Sequence, residues 1–539
     1  MGLFCDASIG LVVPGWWFVH RWTPWSSSGA SFSLWGPTSG RSQTDVTETS
    51  RSLSGPLFGR AHPPYDPQSS VPRGWETDPA EERFKLCTMD WIPVCGYNHY
   101  VLFWRLEDSV KEKAIEVLRG GIEKTLSQAR HMVGKIEPDT DGGYSFVKRK
   151  ESTVQLNIKR YESEGGKWPS IDDIERKHYA QNALGEDLGC WGIPTMLWGE
   201  RPEAELRNKP TTAGFQINLI RGGMVFSVQS HHYFSDVMGF SNFTKQLADN
   251  CAAVCNGTPF PPWDPANIDS SRFERDVPDA EMVDGPAVLG RHPDHPEQQV
   301  VLFHLPKSKA AAMKRLATPT DPNARWISTY DAMCAFIWRA LSRVRAPMHK
   351  PDLTKPISWI EAVNMRTRLH NPPMPDRMMR AVVLAARSHV HPVPELTAGE
   401  VIGPESKTPL SRVAGYIRAL TESCNEGLVE GLVHAIASCR DKSGISIRID
   451  SSPPMSCFTT DHRPGDVSVL DFGFGKPLTY RHMWGHYATA GLIIIYAPVR
   501  SANPDEGCMF TITMEKELVP VICADPEWSE YFEYRGPDC

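Results

Sequence analysis

The sequence lacks long apolar runs, an excess of positive charge and paired CxxC cysteines. A membrane-spanning helix needs about 20 consecutive apolar residues, and no segment of the sequence provides them. The formal net charge is −7 and no long basic run is present, which disfavours binding to nucleic acid or to an anionic membrane. We therefore expect a globular protein with neither kind of partner.

The cysteines also exclude several classes of protein. Thirteen are present, and they are dispersed along the chain. Cys251 and Cys255 lie one helical turn apart, but no histidine or second cysteine pair is near them, so no metal site is predicted. An odd number of dispersed thiols is typical of a reducing compartment. The apolar N-terminus carries Asp6 and Pro14 and no preceding basic residue, unlike a secretory signal, so we expect a cytoplasmic protein.

Composition divides the 539 residues into four segments. Residues 1–82 are mostly rich in Ser, Gly, Pro and Thr, which predicts a low-complexity, disordered N-terminal extension. Residues 256–300 are crowded with Pro and Asp, which is typical of a linker. This linker separates two segments of globular composition, residues 83–255 and 301–532, each of which we expect to form one half of the protein.

Hydrophobic periodicity predicts strands and helices in both halves. The apolar runs at residues 100–106, 215–220, 224–230 and 491–499 are typical of buried strands, and two glycines predict a hairpin between the second and third runs. Residues 110–132 and 328–345 have the spacing of amphipathic helices, and Ser328 or Thr329 can cap the second helix. Because strands and helices alternate, the predicted fold class is α/β.

A histidine followed four residues later by an aspartate occurs three times, at His62, His232 and His462. Roughly one such match is expected by chance, so the spacing alone does not identify a site. His232 and Asp236 can simply be a strand end and a helix N-cap. Two features favour function, because His232 ends a buried strand and Gly239 allows another backbone or a ligand to approach closely. The other two matches lie among prolines or in a polar loop.

A second stretch makes the pattern specific. DFGFG, which contains Asp471, Gly473 and Gly475, is on its own a tight turn with aromatic packing. HxxxD followed by DFGFG resembles the paired HxxxD and DFGWG signatures of the BAHD acyltransferases, and in particular the fungal branch typified by trichothecene 3-O-acetyltransferase. Over residues 84–532 further segments resemble the family in the same order: LCTMD, LSQARHMVGKI, STYDAMCAFIWRALSRVR, VNMRTRL and GLIIIYAPV.

The resemblance implies an enzyme that transfers an acyl group, acetyl by default, from acyl-CoA to a hydroxyl, or less readily an amine, of a small secondary metabolite. Acyl-CoA would be a co-substrate, with no permanently bound cofactor. The implied fold is two chloramphenicol-acetyltransferase-like domains with mixed sheets around a central channel. Since one chain supplies both halves of that channel, a monomer is expected.

The family's roles carry over to matching residues. His232 would be the general base, for which an imidazole with an ordinary pKa of about 6.5 is suited, and no acyl-enzyme would form. Asp236 and Gly239 would support the catalytic loop, with Arg366 as the partner of Asp236 and Arg368 as the alternative. The structural motif would consist of Asp471, Gly473 and Gly475.

Three segments depart from the family pattern. Phe474 replaces the tryptophan of DFGWG, and SCF at residues 456–458 replaces SSW. MMRA at residues 378–381 replaces the YxGN step after the VNxRxRL strand.

Two alternatives stay open: a non-catalytic member of the fold, and a condensation-type acyltransferase that uses a carrier-protein thioester. The latter usually has glycine where this chain has Val237, and DFGFG favours the CoA-dependent reaction. A serine hydrolase would need a GxSxG elbow, which is absent.

Overall fold

A computed structural model of the chain describes residues 66–140, 142–163, 166–388, 393, 395–404, 407–485 and 488–539. All of these residues belong to one compact unit. The strands in the described residues are β1 Asp66–Ser70, β2 Glu81–Lys85, β3 Tyr97–Arg105, β4 Lys135–Pro138, β5 Tyr144–Arg149, β6 Val154–Arg160, β7 Ala213–Ile220, β8 Gly223–His231, β9 Gln298–Leu305, β10 Trp359–Asn364, β11 Val383–Arg387, β12 Cys457–Asp461, β13 Thr479–His482, β14 Leu492–Tyr496, β15 Cys508–Glu515 and β16 Glu533–Pro537.

The helices of the same residues alternate with these strands. They are α1 Asp108–Leu126, α2 Ile171–Arg176, α3 Val237–Asn256, α4 Lys307–Ala317, α5 Thr329–His349, α6 Ala398–Ile402, α7 Leu410–Ser423, α8 Glu426–Ala437, α9 Val519–Cys523 and α10 Pro526–Tyr531. No helix of the described segments combines the length and the apolar character needed to cross a bilayer.

Two large mixed sheets organise the fold. The first has the order β1-β6-β7-β8-β3-β13, in which the β6–β7 pair is parallel. The second has the order β11-β10-β12-β14-β15-β9-β16, in which β10, β12 and β14 run parallel. A small sheet, β2-β5-β4, accompanies them. The predicted α/β class with mixed sheets is therefore confirmed.

The hairpin that leads to the HxxxD motif forms as predicted. β7 and β8 are antiparallel, Ile220 pairs with Gly223, and the intervening Gly222 has φ of 69°. Every residue of both strands is buried, which explains their nearly continuous apolar sequence. Helix α5 also forms, and Ser328 caps it by accepting from the amide of Asp331.

The boundaries of the halves differ in two respects from the composition-based prediction. The extension predicted to be disordered, residues 1–82, is too long, because strand β1 pairs with β6 from Asp66 onward. The sequence of β1, DPQSS, has no apolar alternation that would predict a strand, so this strand depends on its pairing with the distant β6. The rest of the predicted extension, residues 1–65, lies outside the described residues. In addition, β13 follows the predicted linker in sequence but belongs to the first sheet. The division at residues 256–300 stays a prediction.

Candidate active site

The HxxxD motif lies between a buried strand and a helix. Strand β8 ends at His231, a short 3-10 turn covers residues 232–234, and Asp236 caps α3 by accepting from the amide of Gly239 at 2.8 Å. The backbone amide of His232 donates to Gly96 O at 2.7 Å, which ties the turn to the start of β3. The backbone around His232 is thus fixed from both sides.

The hydrogen bonds of His232 define its tautomer. Its Nδ1 lies 3.1 Å from Ser235 O, and a carbonyl oxygen can only accept, so Nδ1 carries the hydrogen of the neutral ring. Nε2 is then the nitrogen with a free lone pair. Burial lowers the pKa of His232, and the bond to Ser235 and the charge of Asp236 offset only part of this effect. The ring is therefore neutral at pH 7.

The neighbouring His231 has a structural environment. It is fully buried, its Nε2 donates to Ala204 O at 2.9 Å, and its Nδ1 accepts from the amide of Tyr233. Burial lowers its pKa to about 4. Both ring nitrogens are therefore committed to the backbone.

The structure brings Asp236 and Arg366 together in a two-pronged ion pair. Arg366 Nη1 lies 2.8 Å from Asp236 Oδ2, and Nη2 lies 2.8 Å from Oδ1. Burial alone would raise the pKa of Asp236, but the charge and hydrogen bonds of Arg366, with the amides of Gly239 and Val382, hold it below its usual range. The alternative, Arg368, instead donates to Thr421 O and Cys424 O.

Residues 378–381, where the sequence departs from the family, pack directly against this pair. Met378 O and Arg380 O accept from Arg366, at 3.2 and 2.6 Å. A Cβ added to Gly239 would lie 2.1 Å from Met379 O, so glycine is required for this approach. MMRA therefore supplies backbone partners for the Asp236–Arg366 pair.

The same segment makes a second buried ion pair that the sequence did not reveal. The guanidinium of Arg380 contacts the carboxylate of Asp90, and both side chains are almost fully buried. Arg380 Nη2 also donates to Lys85 O at 2.9 Å. Because Asp90 belongs to the LCTMD segment, this pair links that segment to the residues that contact the Asp236–Arg366 pair.

A cavity of about 590 Å³ lies beside His232 and draws its lining from both large sheets. The first sheet and its connections contribute Asn98, Tyr100, His232 and His482. The second contributes Glu361, Phe458, Thr460 and Ile494. Ligand sites commonly occupy clefts of this size between structural layers.

The prediction that the third HxxxD match lies in a polar loop is wrong. β12 precedes His462 directly, and the side chain is 3 % exposed and lines the same cavity as His232. Its Nε2 lies 3.1 Å from Thr460 Oγ1, and burial lowers its pKa to about 3. His482, from β13, packs next to it with ring centroids 5.2 Å apart. Both imidazoles are neutral elements of the cavity wall.

Three buried side-chain nitrogens in the cavity wall have no hydrogen-bond partner among the described residues. They are Asn98 Nδ2, Trp198 Nε1 and His462 Nδ1, and all three residues line the cavity; the first two nitrogens can only donate. Asn98 precedes Tyr100 on β3 and pairs with Ser230, two residues before His232. Unpaired buried donors are costly, which marks them as positions where a ligand oxygen can bind.

The DFGFG motif lies outside the cavity lining. Asp471 accepts from the amide of Gly473, and a Cβ on Gly473, whose φ is 84°, would lie 2.5 Å from Cys255 Cβ at the end of α3. Gly475 O accepts from Trp104 Nε1, and the Trp104 ring contacts those of Phe472 and Phe474. The motif leads the chain into β13 of the first sheet.

Comparisons with known proteins agree with this architecture. A family model described as trichothecene 3-O-acetyltransferase-like N-terminal domain matches residues 97–251, and one described as Transferase family matches residues 214–528. The second match spans more than half of the chain, so the chain belongs to the Transferase family. It is a CoA-dependent acyltransferase of the fungal BAHD type that resembles trichothecene 3-O-acetyltransferase.

Individual relatives support the assignment. The chain is 47% identical over 472 residues to acetyltransferase FGR3 of Gibberella zeae, covering 87% of this chain and 93% of that protein. It is 25% identical to trichothecene 3-O-acetyltransferase TRI101 of Fusarium sporotrichioides, covering 78% and 90%. The structure of F. graminearum TRI101 with coenzyme A and T-2 mycotoxin gives a TM-score of 0.68 at 18% identity, covering 84% and 100%. This likeness confirms the predicted chloramphenicol-acetyltransferase-like fold.

Proposed function

We propose that the protein transfers an acetyl group from acetyl-CoA to a hydroxyl of a small secondary metabolite, with His232 as the general base. The observation that carries this proposal is the His232 ring, whose Nδ1 bonds to Ser235 O and leaves Nε2 as the free acceptor beside a cavity. Nε2 removes the hydroxyl proton as the oxygen attacks the thioester carbonyl. Such general-base assistance contributes about 10² to 10⁴ in rate.

The same imidazole completes the reaction. When the tetrahedral intermediate collapses, the carbon–sulfur bond breaks and the imidazolium returns its proton to the departing thiolate. The bond from Nδ1 to Ser235 O stabilises the imidazolium while the proton resides on the ring. The ester and free CoA are the products, and no acyl-enzyme forms.

The oxyanion of the intermediate needs a positioned donor. Asn98 Nδ2 fits this role, because it is buried, has no partner within the described chain and belongs to a residue that lines the cavity. Asn98 is also close to the turn that carries His232, since Gly96, two residues before Asn98, accepts a hydrogen bond from the His232 amide. Asp236 and Arg366 position the loop without contacting substrate.

A second cavity, of about 530 Å³, supplies a site for the phosphates of CoA. Lys307, Lys314, Arg315 and Arg463 line it, and its lining contains no carboxylate. Arg463 directly follows His462, so adjacent residues of one segment line the two cavities. The donor would therefore approach from the β12 side, with its thioester directed toward His232.

The class of acceptor follows from the relatives. Structures of F. graminearum TRI101 contain coenzyme A with T-2 mycotoxin or deoxynivalenol, and other relatives are named O-acyltransferases and O-acetyltransferases. A hydroxylated fungal metabolite is accordingly the proposed acceptor here. Both sheets that enclose the cavity belong to one chain, which supports a monomer.

The test is a comparison of acyl donors and acceptors. Purified protein is incubated with acetyl-CoA and a panel of hydroxylated metabolites that includes deoxynivalenol and benzyl alcohol, and thiol release and ester mass are measured. We expect an acetyl ester and one thiol per ester. If the protein acetylates the panel only from an acetylated carrier protein, the condensation-type alternative is correct. If it binds acetyl-CoA and the panel without turnover, it is a non-catalytic member of the fold.

A further inference from the structure

One cavity-lining carboxylate differs from all the others in its electrostatic environment. In the described chain, the others each contact an arginine: Asp236 contacts Arg366, Asp461 contacts Arg463, and Glu200 and Asp450 both contact Arg448. Glu361, on β10, lines the same cavity and has no ion-pair partner among the described residues. The remaining acidic groups are thus neutralised, and Glu361 is not.

Three neutral donors hold the Glu361 side chain in place. Trp359 Nε1 donates to Oε1 at 3.1 Å, while Thr421 Oγ1 and Tyr330 Oη donate to Oε2 at 2.8 and 3.3 Å. The residue is 1 % exposed, so its orientation is fixed before any ligand binds. Oε1 has a single donor and therefore retains a free lone pair.

Burial raises the pKa of Glu361 to about 7; the Thr421 hydrogen bond opposes this, and the charge of Asp331 adds to it. The charged groups on the packed elements are already occupied. Asp331 of α5 pairs with Arg418 of α7, and Asp461 of β12 pairs with Arg463. Arg368 donates to the carbonyls of Thr421 and Cys424. The neutral donors hold the Glu361 carboxylate in place, but none of them carries a positive charge that would compensate its negative charge.

We propose that Glu361 is the anionic anchor of the acceptor site and that the acceptor carries a protonated amine remote from the hydroxyl that is acylated. This inference rests on the proposed function, since it concerns the other end of the acceptor whose hydroxyl is acylated. His232 comes from the first sheet and Glu361 from the second, so one molecule that spans the cavity contacts both. A cation at Oε1 compensates the one carboxylate of the cavity that has no arginine partner among the described residues.

Binding of three matched probes tests the proposal without requiring turnover. The probes are trans-4-aminocyclohexanol, trans-1,4-cyclohexanediol and cyclohexanol, and their dissociation constants are measured by ligand-observed NMR. The wild type should bind the amine most tightly. Glu361→Gln and Glu361→Met should lose about tenfold to a hundredfold of that affinity, because hydrogen bonds to charged groups are worth more than neutral ones. Cyclohexanol should bind all three proteins alike.

Two controls separate this inference from the catalytic one. Glu200→Gln removes a cavity carboxylate that already contacts an arginine, and it should keep the preference for the amine. His232→Ala should also keep that preference, since it changes only the acylation end. Circular dichroism verifies that each variant is folded, and Glu361→Met avoids a buried amide facing the Trp359 donor.

A pH series adds an independent measurement. The Glu361 carboxyl is ionised above its pKa of about 7, so the affinity for the amine should fall as the pH is lowered through that value. Burial lowers the pKa of both His232 and His462, so neither adds charge in this range. The proposal is overturned if the wild type does not bind the amine more tightly than cyclohexanol. It is equally overturned if the preference persists in both Glu361 variants.

Discussion

Replacing Asp236 with asparagine should destabilise the fold around the loop that carries His232 more than it impairs the proposed chemistry. Each carboxylate oxygen accepts two hydrogen bonds: Oδ1 accepts from Gly239 N and Arg366 Nη2, both at 2.8 Å, and Oδ2 accepts from Arg366 Nη1 and Val382 N at 2.8 and 2.9 Å. Whichever way the asparagine amide is oriented, its NH₂ group faces one guanidinium N–H and one backbone N–H.

The magnitude follows from these contacts. Asp236→Asn removes two of the four hydrogen bonds and leaves the buried Arg366 without a counter-charge. Breaking a buried ion pair by removing one partner costs about 3–5 kcal/mol. Asp471→Asn is the matched control, because that exposed carboxylate accepts one bond from Gly473 N, and it should cost no more than about 1.5 kcal/mol.

Urea unfolding followed by tryptophan fluorescence at pH 7 measures both variants. The pKa of Asp236 is below its usual range, so its contribution is fully present above the unfolded-state pKa of about 3.9. The difference from wild type should shrink as the pH falls below that value, through the lowered pKa. The reasoning would be refuted if Asp236→Asn lost no more stability at pH 7 than Asp471→Asn.

Three further predictions concern the same loop. Gly239→Ala should be strongly destabilising in thermal unfolding, since its Cβ would lie 2.1 Å from Met379 O, whereas Gly415→Ala in α7, with open space around it, should gain up to about 1 kcal/mol. Arg366→Lys loses the two-pronged contact and should lower kcat and stability together, while Arg368→Lys should leave the stability of the loop intact; equal losses would contradict the assignment. In a pH profile, the acidic limb of kcat/KM should lie below pH 6.5, because burial lowers the pKa of His232; a limb above that value would contradict this assignment.

Local sequence patterns predicted the elements that carry the site. The β7–β8 hairpin depends on apolar runs and a glycine turn, and helix α5 depends on 3.6-residue periodicity with a serine cap, all of which are short-range features. The resemblance to the BAHD family then singled out Arg366 among the nearby arginines, and the structure places it against Asp236.

Long-range contacts could not be predicted in this way. Asp90 and Arg380 are 290 residues apart, and no local pattern connects them. Pro464 and Gly465 after His462 are typical of a loop, yet CFTTD before it is a short parallel strand between β10 and β14. The polar threonines of CFTTD interrupt the apolar pattern by which a buried strand is predicted from sequence. Glu361 becomes distinctive only when the arginine partners of the other carboxylates are known.

The most direct test of the account is the rate of acetyl transfer by His232→Ala in single-turnover experiments with saturating acetyl-CoA and the acceptor identified from the panel. The ring bonds to Ser235 O through Nδ1 and leaves Nε2 to accept the proton, so its removal should lower the rate by about 10² to 10⁴ while acetyl-CoA binding and the unfolding curve stay unchanged. A rate equal to that of the wild type would contradict the central claim.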